Sequence, residues 1–426
     1  MRNKLEKPFM VLLLFFATDA LRSYLPPNNV ATLSSGVAGT DRRVILLWTT
    51  LYAISFIFML PWLRRIGKVV LANPWLLALH LYVLASAFWS ADPRSSLLFS
   101  ASLLCTAAVG YFLAARYTFH EQVVMLAQAI GLSQLAGILF LIIDPGTAMM
   151  AMRDGSFRGV YEHKGEMARM VVFALIVFLS LYGARRARHR GLLLIMSAAS
   201  VVMLVAAKSS MGRMVLPLLL ATMLVLWLLR MKTGAAMALL FFFLAVLFGA
   251  AFVGYYEWDA LLALLGRDGT LTGRTDIWAL AVSNWRERMW FGYGSGGFWR
   301  TGVGDAFRSG IGYDIFGAHD GYLDVLLDLG AVGLFLFAAG FVRAFRKSLS
   351  TVLDREAEYG DLPFLFLLYL LLFNISESYL LQRNSISWIA YVAMCCALTK
   401  GLPRARSAAA IHPATSTLFP SPAPPL

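Results

Sequence analysis

Charge is what this sequence has least of. Only 14% of its 426 residues are Asp, Glu, Lys or Arg, against 59% hydrophobic, where a soluble domain carries roughly 25% charged residues. Cysteine is scarce too. Cys105, Cys395 and Cys396 all fall in apolar runs, with no Cys-x-x-Cys, no disulfide framework and no thiolate metal site, and they read as packing residues. No His-x-x-x-His pair occurs, and His163 with Glu166, or His319 beside Asp320, is a weak start on a metal site. Residues 292–297 are glycine-rich but lack the Gly-Lys-Ser/Thr ending of a nucleotide loop. Acidic residues number 24 against 37 Lys and Arg, a formal net charge of +13. The bases come in short clusters between apolar runs, which is how membrane orientation is encoded. Nucleic acid is therefore not an expected partner.

Long apolar runs are what the chain has in abundance. Residues 44–63, 122–143 and 234–256 carry no charge, and each reaches the ~20 residues that cross a ~30 Å hydrocarbon core. Twelve spans are predicted, at about 8–25, 44–63, 69–89, 97–115, 122–143, 166–184, 191–207, 213–229, 234–254, 321–342, 362–381 and 385–400. Arg2, Lys4 and Lys7 precede a run with no small-residue cleavage site, so no cleavable signal is expected. Basic clusters fill alternate loops, at 64–68, 185–190, 230–232 and 343–347, and both termini. These should face the cytoplasm, and residues 144–165, 208–212 and 255–320 should face outward. The expected fold is an all-α polytopic membrane protein, with one transmembrane domain over 1–400. It includes a large outward loop at 255–320, between spans nine and ten. Residues 401–426, Pro/Ser/Ala-rich in most of their length, read as a disordered cytoplasmic tail.

Outside the membrane the polar residues concentrate. Residues 265–334 hold six arginines, four tryptophans and one histidine, in a loop far longer than the ~2–8 residues a bundle connection needs. Within it, 274–291 has the apolar spacing of a helix lying in the interface, capped by Thr272 or Thr275. The glycines that follow would let backbone approach a ligand. Arg158 and Lys164, then Lys208 and Arg213, put cations on outward loops against the orientation rule. Either they snorkel, or arginines from separate loops converge on a polyanion, with a membrane pyrophosphate the obvious candidate. His319 opens the tenth span, followed by Asp320, Asp324 and Asp328, the last two on one helical face. A histidine there suits a general base, or simply caps the interface. Ser209 and Ser210 have no neighbouring base to make either a nucleophile. Asn374 and Glu377 read as interhelical hydrogen-bonders, and His80 and His120 as structural.

The ordered set Arg158…Glu162-His163-Lys164, Ser209-Ser210-Met211-Gly212-Arg213, Leu271-Thr272-Gly273-Arg274-Thr275-Asp276-Ile277-Trp278, Phe291-Gly292-Tyr293-Gly294 and His319-Asp320-Gly321-Tyr322-Leu323…Asp328-Leu329-Gly330 resembles the O-antigen ligase and Wzy-type polysaccharide polymerase superfamily. Leu271 to Trp278 looks most like the exopolysaccharide, succinoglycan-type polymerase branch. The similarity runs from about residue 150 to 345. It implies a bundle of about twelve helices grouped with lipid-dependent glycosyltransferases of the C type. The site would lie at the periplasmic face of a bacterial inner membrane, with no cofactor and no metal. The family's cationic positions match Lys164, Arg213 and Arg274, and its catalytic histidine matches His319. Arg158 joins the candidate binding residues, and Asp320 and Asp328 are candidate supports. Two departures stand out: Gly165 and Asp320 replace the asparagines often found after His-Lys and after the catalytic His. The second adds a carboxylate that would raise the His319 pKa.

The resemblance implies an undecaprenyl-pyrophosphate-linked oligosaccharide as donor and a glycan as acceptor. Membrane lipid, a chain-length regulator and export proteins are further candidate partners. The expected reaction is polymerisation of lipid-linked repeat units of an exopolysaccharide. The alternatives are an O-antigen ligase that moves the glycan to a lipid core, and a transporter of lipid-linked sugars. A transporter should carry its charges near the bilayer midplane and show repeats.

Overall fold

The structure, a computed structural model, describes residues 2–21, 42–150, 155–184, 189–231, 234, 274–300, 304–305, 307, 317–354 and 356–402. The predicted ninth span, residues Leu271, Thr272 and Gly273, and the predicted disordered tail beyond 402 lie outside the described residues. What is described is helical, as a chain in hydrocarbon must be to satisfy its backbone within each segment.

The helices run α1 (Arg2–Phe16), α2 (Arg42–Met59), α3 (Leu63–Leu71), α4 (Pro74–Ala85), α5 (Pro93–Arg116), α6 (Phe119–Ile143), α7 (Lys164–Gly183), α8 (Arg190–Ala207), α9 (Ser210–Met231), α10 (Arg274–Glu287), α11 (Gly321–Leu353), α12 (Asp361–Phe373) and α13 (Ile386–Lys400). A two-residue hairpin, β1 (Met149–Met150) with β2 (Ser156–Phe157), interrupts them. Seven helical segments are long and apolar enough to cross a membrane, among the described residues; α2 and α3 together form one of them. The chain is an all-α polytopic membrane protein on that ground. Local chemistry sets the starts. Thr118 and Glu121 form a reciprocal capping box on α6, and Asp92 caps α5 with Pro93 in its first turn.

Burial ranks the spans. In α7, 83% of the apolar window is buried, against 17% for the α2–α3 segment. Helix α7 touches α6, α8, α9 and α12, while α13 is buried over nearly its whole length. Cys395 and Cys396 pack in that core, and Cys105 lies on the outside of the bundle.

The two ends of the bundle differ in character. At one end Leu21 N donates to Val160 O, Ile386 N to Ala17 O and Gly321 N to Asn374 O, which gathers the starts of α7, α11 and α13 with the ends of α1 and α12. At the other end Lys7 pairs with Glu121, Arg116 with Glu6 at 2.9 Å, and His120 with Tyr359.

Helix α11 breaks at Gly330 (φ 65°, ψ −169°), a conformation essentially reserved for glycine. Residues 289–294 fill the break. Ala331 N donates to Met289 O and Val332 N to Trp290 O, while Tyr293 N and Gly294 N donate to Leu327 O and Asp328 O. A Cβ on Gly330 would sit 2.3 Å from the Trp290 carbonyl, and one on Gly292 2.6 Å from Asp328 O. The glycines predicted to admit a ligand are buried: Gly292 admits helix α11, while Gly294 and Gly297 close on Ser90 and Gly296 on Phe99 of α5.

Candidate functional site

Four chain segments meet where the sequence expected the chemistry: the start of α7, the start of α10, the turn before α11, and the turn after α12. The last supplies the centre. Glu377 Oε1 lies 3.6 Å from Arg274 Nη2, and its Oε2 lies 3.8 Å from His319 Nδ1. Gly165 packs against the same carboxylate: a Cβ there would stand 3.5 Å from Glu377 Oε1 and 3.3 Å from His163 Nδ1. The missing side chain at 165 is what lets the start of α7 close on Glu377. Burial alone would raise the Glu377 pKa, but the facing His319 and the charges of Arg274 and His163 outweigh it. The carboxyl is held below the usual carboxylate range.

His319 is held by its neighbours. Its φ of 50° is left-handed, uncommon for a residue with a Cβ. Trp278 Nε1 on α10 donates to Ala318 O at 3.1 Å, and Ala318 N donates to Asp324 Oδ1 at 3.0 Å. Trp299 Nε1 reaches the same Asp324 oxygen at 3.0 Å. The apolar face of α10 explains why Trp278 is there: Ile277 and Ala281 bury against Tyr293, Phe298, Trp299 and Leu327. This small core outside the spans positions the turn that carries His319. Its side chain is 43% exposed, with Nδ1 turned to a carboxylate. At 3.8 Å the pair needs only a small closure to become a hydrogen bond.

Arg274 is anchored as well as paired: its Nη1 donates to Ser376 O at 2.6 Å. Arg213 stands exposed in the first turn of α9, with Nε and Nη2 each 3.4 Å from the carbonyls of Ser209 and Lys208. Gly212 beside it packs on Ala168 of α7. So Arg213 sits beside α7 and, among the described residues, makes no bond to His319 or Glu377. Lys164 is half-buried in the first turn of α7. Arg158 is turned inward to its own loop, where Nε donates to Thr147 O (2.7 Å) and Nη1 to Glu162 O (3.0 Å). That geometry makes it a brace of its own loop.

Both supporting aspartates take other tasks. Asp320 does not face His319. Its Oδ1 caps α11 by accepting from Tyr322 N (2.8 Å) and Leu323 N (2.9 Å), and burial raises its pKa. Asp328 Oδ2 accepts from Gly296 N at 2.7 Å, which fastens the glycine loop to α11. Asp324 and Asp328 do share a helical face, turned to that loop. Tyr293 ties the same loop to α10: its hydroxyl lies 3.1 Å from both Asn284 O and Glu287 Oε2, with one proton to give to either, and burial pushes its phenol up to about 12.

Sequence reasoning set Glu377 aside and overlooked Arg169. The latter is 2% exposed. Nη1 donates to Ser387 Oγ at 2.9 Å, Nη2 is 4.0 Å from Asp19 Oδ2, and the guanidinium lies 3.8 Å from the centre of the Tyr379 ring. Arg169 thus supports, from beneath, the turn that presents Glu377. Both residues had a readable signal, since a lone ionisable group inside or at the mouth of an apolar run is functional by default. Among the described residues, no three His, Cys, Asp or Glu side chains gather as a metal would require.

Residues 195–338 match the Wzy_C family, described as O-antigen ligase, a stretch that includes Arg213, Arg274 and His319. The chain is also 30% identical over 107 residues to the exopolysaccharide production protein ExoQ of Rhizobium meliloti (strain 1021), covering 24% of this chain and 25% of that protein. The match thus spans about a quarter of that curated relative. The resemblance to the O-antigen ligase and Wzy-type superfamily is thus matched over residues 195–338, with Arg158 and Lys164 outside that stretch, and the exopolysaccharide relative agrees with it over a quarter of the chain.

Proposed function

We propose that this chain is an integral membrane glycosyltransferase that polymerises undecaprenyl-pyrophosphate-linked repeat units at the outer face of a bacterial inner membrane. The observation that carries the proposal is the Arg274–Glu377–His319 arrangement, with one carboxylate between a fixed guanidinium and an accessible imidazole. Glu377 orients His319 through Nδ1 and stabilises the imidazolium, as the carboxylate does in a catalytic triad. The opposite nitrogen, Nε2, then takes the proton from an acceptor hydroxyl. The hydroxyl oxygen bonds to the anomeric carbon as the bond from that carbon to the pyrophosphate oxygen breaks. The lipid pyrophosphate leaves with the electron pair, and the anomeric centre inverts. Arg274 and Arg213, with Lys164 at the edge, meet the charge that grows on the leaving group.

The exopolysaccharide relative favours a polymerase over transfer to a lipid core. Charge gathered at the ends of the bundle, with the candidate site at one of them rather than at the midplane, favours an enzyme over a transporter. A reconstituted assay with labelled glycan–lipid donor tests the choice. Elongated glycan is the expected product; donor moved across the membrane yet never elongated or transferred would contradict it.

A further inference from the structure

The end of the bundle away from His319 holds a feature that this chemistry does not use. Between α4, α11 and α13 lies a shallow cleft, open on one side and lined among others by Asn73, Trp75, Gly340, Arg343, Lys347 and Thr399. Gly340, Arg343, Ala344 and Lys347 recur at helical spacing on one face of α11. The glycine and alanine make the room; the arginine and lysine, a turn apart, line it. Like charges at that spacing repel. Among the described residues neither side chain has a hydrogen-bond or ion-pair partner. Arg343 is exposed and Lys347 half-buried, so beyond fixing orientation the two cations stand where they can hold an anion.

The opposite wall adds to the positive field. Asn73 precedes α4 but makes no side-chain bond to it. Its Nδ2 donates to Val69 O (2.8 Å) and Cys396 Sγ (3.5 Å), and its Oδ1 accepts from Thr399 Oγ1 (2.7 Å). The α4 N-terminus therefore meets the cleft without a side-chain cap, with the partial positive charge of its amides unmet. Around the cleft the surface is apolar and outward-facing: Leu71 is 71% exposed and Val342 54%. A phosphate seated here would have hydrocarbon beside it.

We propose that this cleft binds a phosphate group, presented by the headgroup of an anionic phospholipid in the leaflet opposite His319. Basic pockets between membrane helices take such headgroups, and the exposed Leu71 and Val342 supply a path for the acyl chains. The occupant ties α4, α11 and α13 together and relieves the repulsion between Arg343 and Lys347.

The test is thermal unfolding of the purified full-length chain in detergent, titrated with phosphatidylglycerol, phosphatidylethanolamine or glycerol phosphate. Phosphatidylglycerol should raise the midpoint saturably, and phosphatidylethanolamine should not. The double variant Arg343→Gln, Lys347→Gln should lose about ten- to a hundredfold in apparent affinity. The exchanged pair Arg343→Lys, Lys347→Arg should keep most of it, which guards against a misfolded variant. Should the double variant not fold, Lys347→Gln alone is titrated. Glycerol phosphate acting as strongly as the lipid would assign the site to a free phosphate and overturn the lipid as source. A lipid shift unchanged in the neutralised variant, or no shift with any of the three, overturns the site.

Discussion

Glu377 is the residue on which the site turns, because His319, Arg274 and the start of α7 all address it. Glu377→Gln keeps the shape and removes the charge. Turnover should fall by roughly 10²- to 10⁴-fold, the range set by loss of a base or of its orienting carboxylate, with donor affinity nearly unchanged. Glu377→Asp should recover part of the rate, which a purely structural role would not produce. Arg274→Ala and Arg213→Ala should instead weaken both donor binding and turnover, and Lys at either position should restore them only in part. Separate measurement of donor binding and single-turnover rate distinguishes the two patterns. The pH dependence has a definite sign. A carboxyl whose folded pKa is depressed contributes stability above its unfolded pKa of about 4.3, and loses it as pH falls through the lower folded value. The stability gap between wild type and Glu377→Gln should therefore be present at neutral pH and close below about pH 4. His319, Arg274 and Arg213 were legible from type, order and position alone. The pairing of Glu377 with His319 was not, because Glu377 lies 58 residues beyond His319 in sequence and comes near it through the contact of α12 with α11.

Among the elements, the broken helix α11 and the loop that fills it make the scaffold. Gly330→Ala places a methyl group against the Trp290 carbonyl and forbids the backbone conformation. It should cost at least about 1–3 kcal/mol, seen as a lower unfolding midpoint. Gly67→Ala on α3, where a Cβ meets nothing within 4 Å, should be neutral or stabilising by up to about 1 kcal/mol. Equal losses in the two variants would remove the lock from consideration. The long apolar helices were legible because hydrocarbon length and apolar runs are one-dimensional properties; α4, α12 and α13 are shorter than the spans expected there. The apolar stripe of Ile277 and Ala281 likewise announced α10. What the sequence could not show was the purpose of the glycines at 292–297. A glycine that admits a ligand and one that admits a helix look alike until the partner backbone is in place. Asp320 misled for a similar reason: adjacency to His319 suggested a pair, whereas its backbone geometry made it a cap.

At the scale of the whole molecule, the proposed function needs the site end to face outward. Ser283 on α10 is exposed near the site, and Arg346 on α11 is exposed at the far end. With Cys105 replaced by serine, Ser283→Cys should react with an impermeant thiol reagent from outside the cell membrane. Arg346→Cys should react only after permeabilisation, and the reverse pattern would put the chemistry on the wrong side for a periplasmic polymerase. The central claim is that His319 is the base, held by Glu377 beside arginines that bind the leaving pyrophosphate. Its most direct test is the single-turnover rate and donor affinity of purified His319→Ala with lipid-linked donor. The expected result is a rate lower by roughly 10²- to 10⁴-fold with donor affinity essentially intact. Near-normal turnover at normal protein abundance would contradict it.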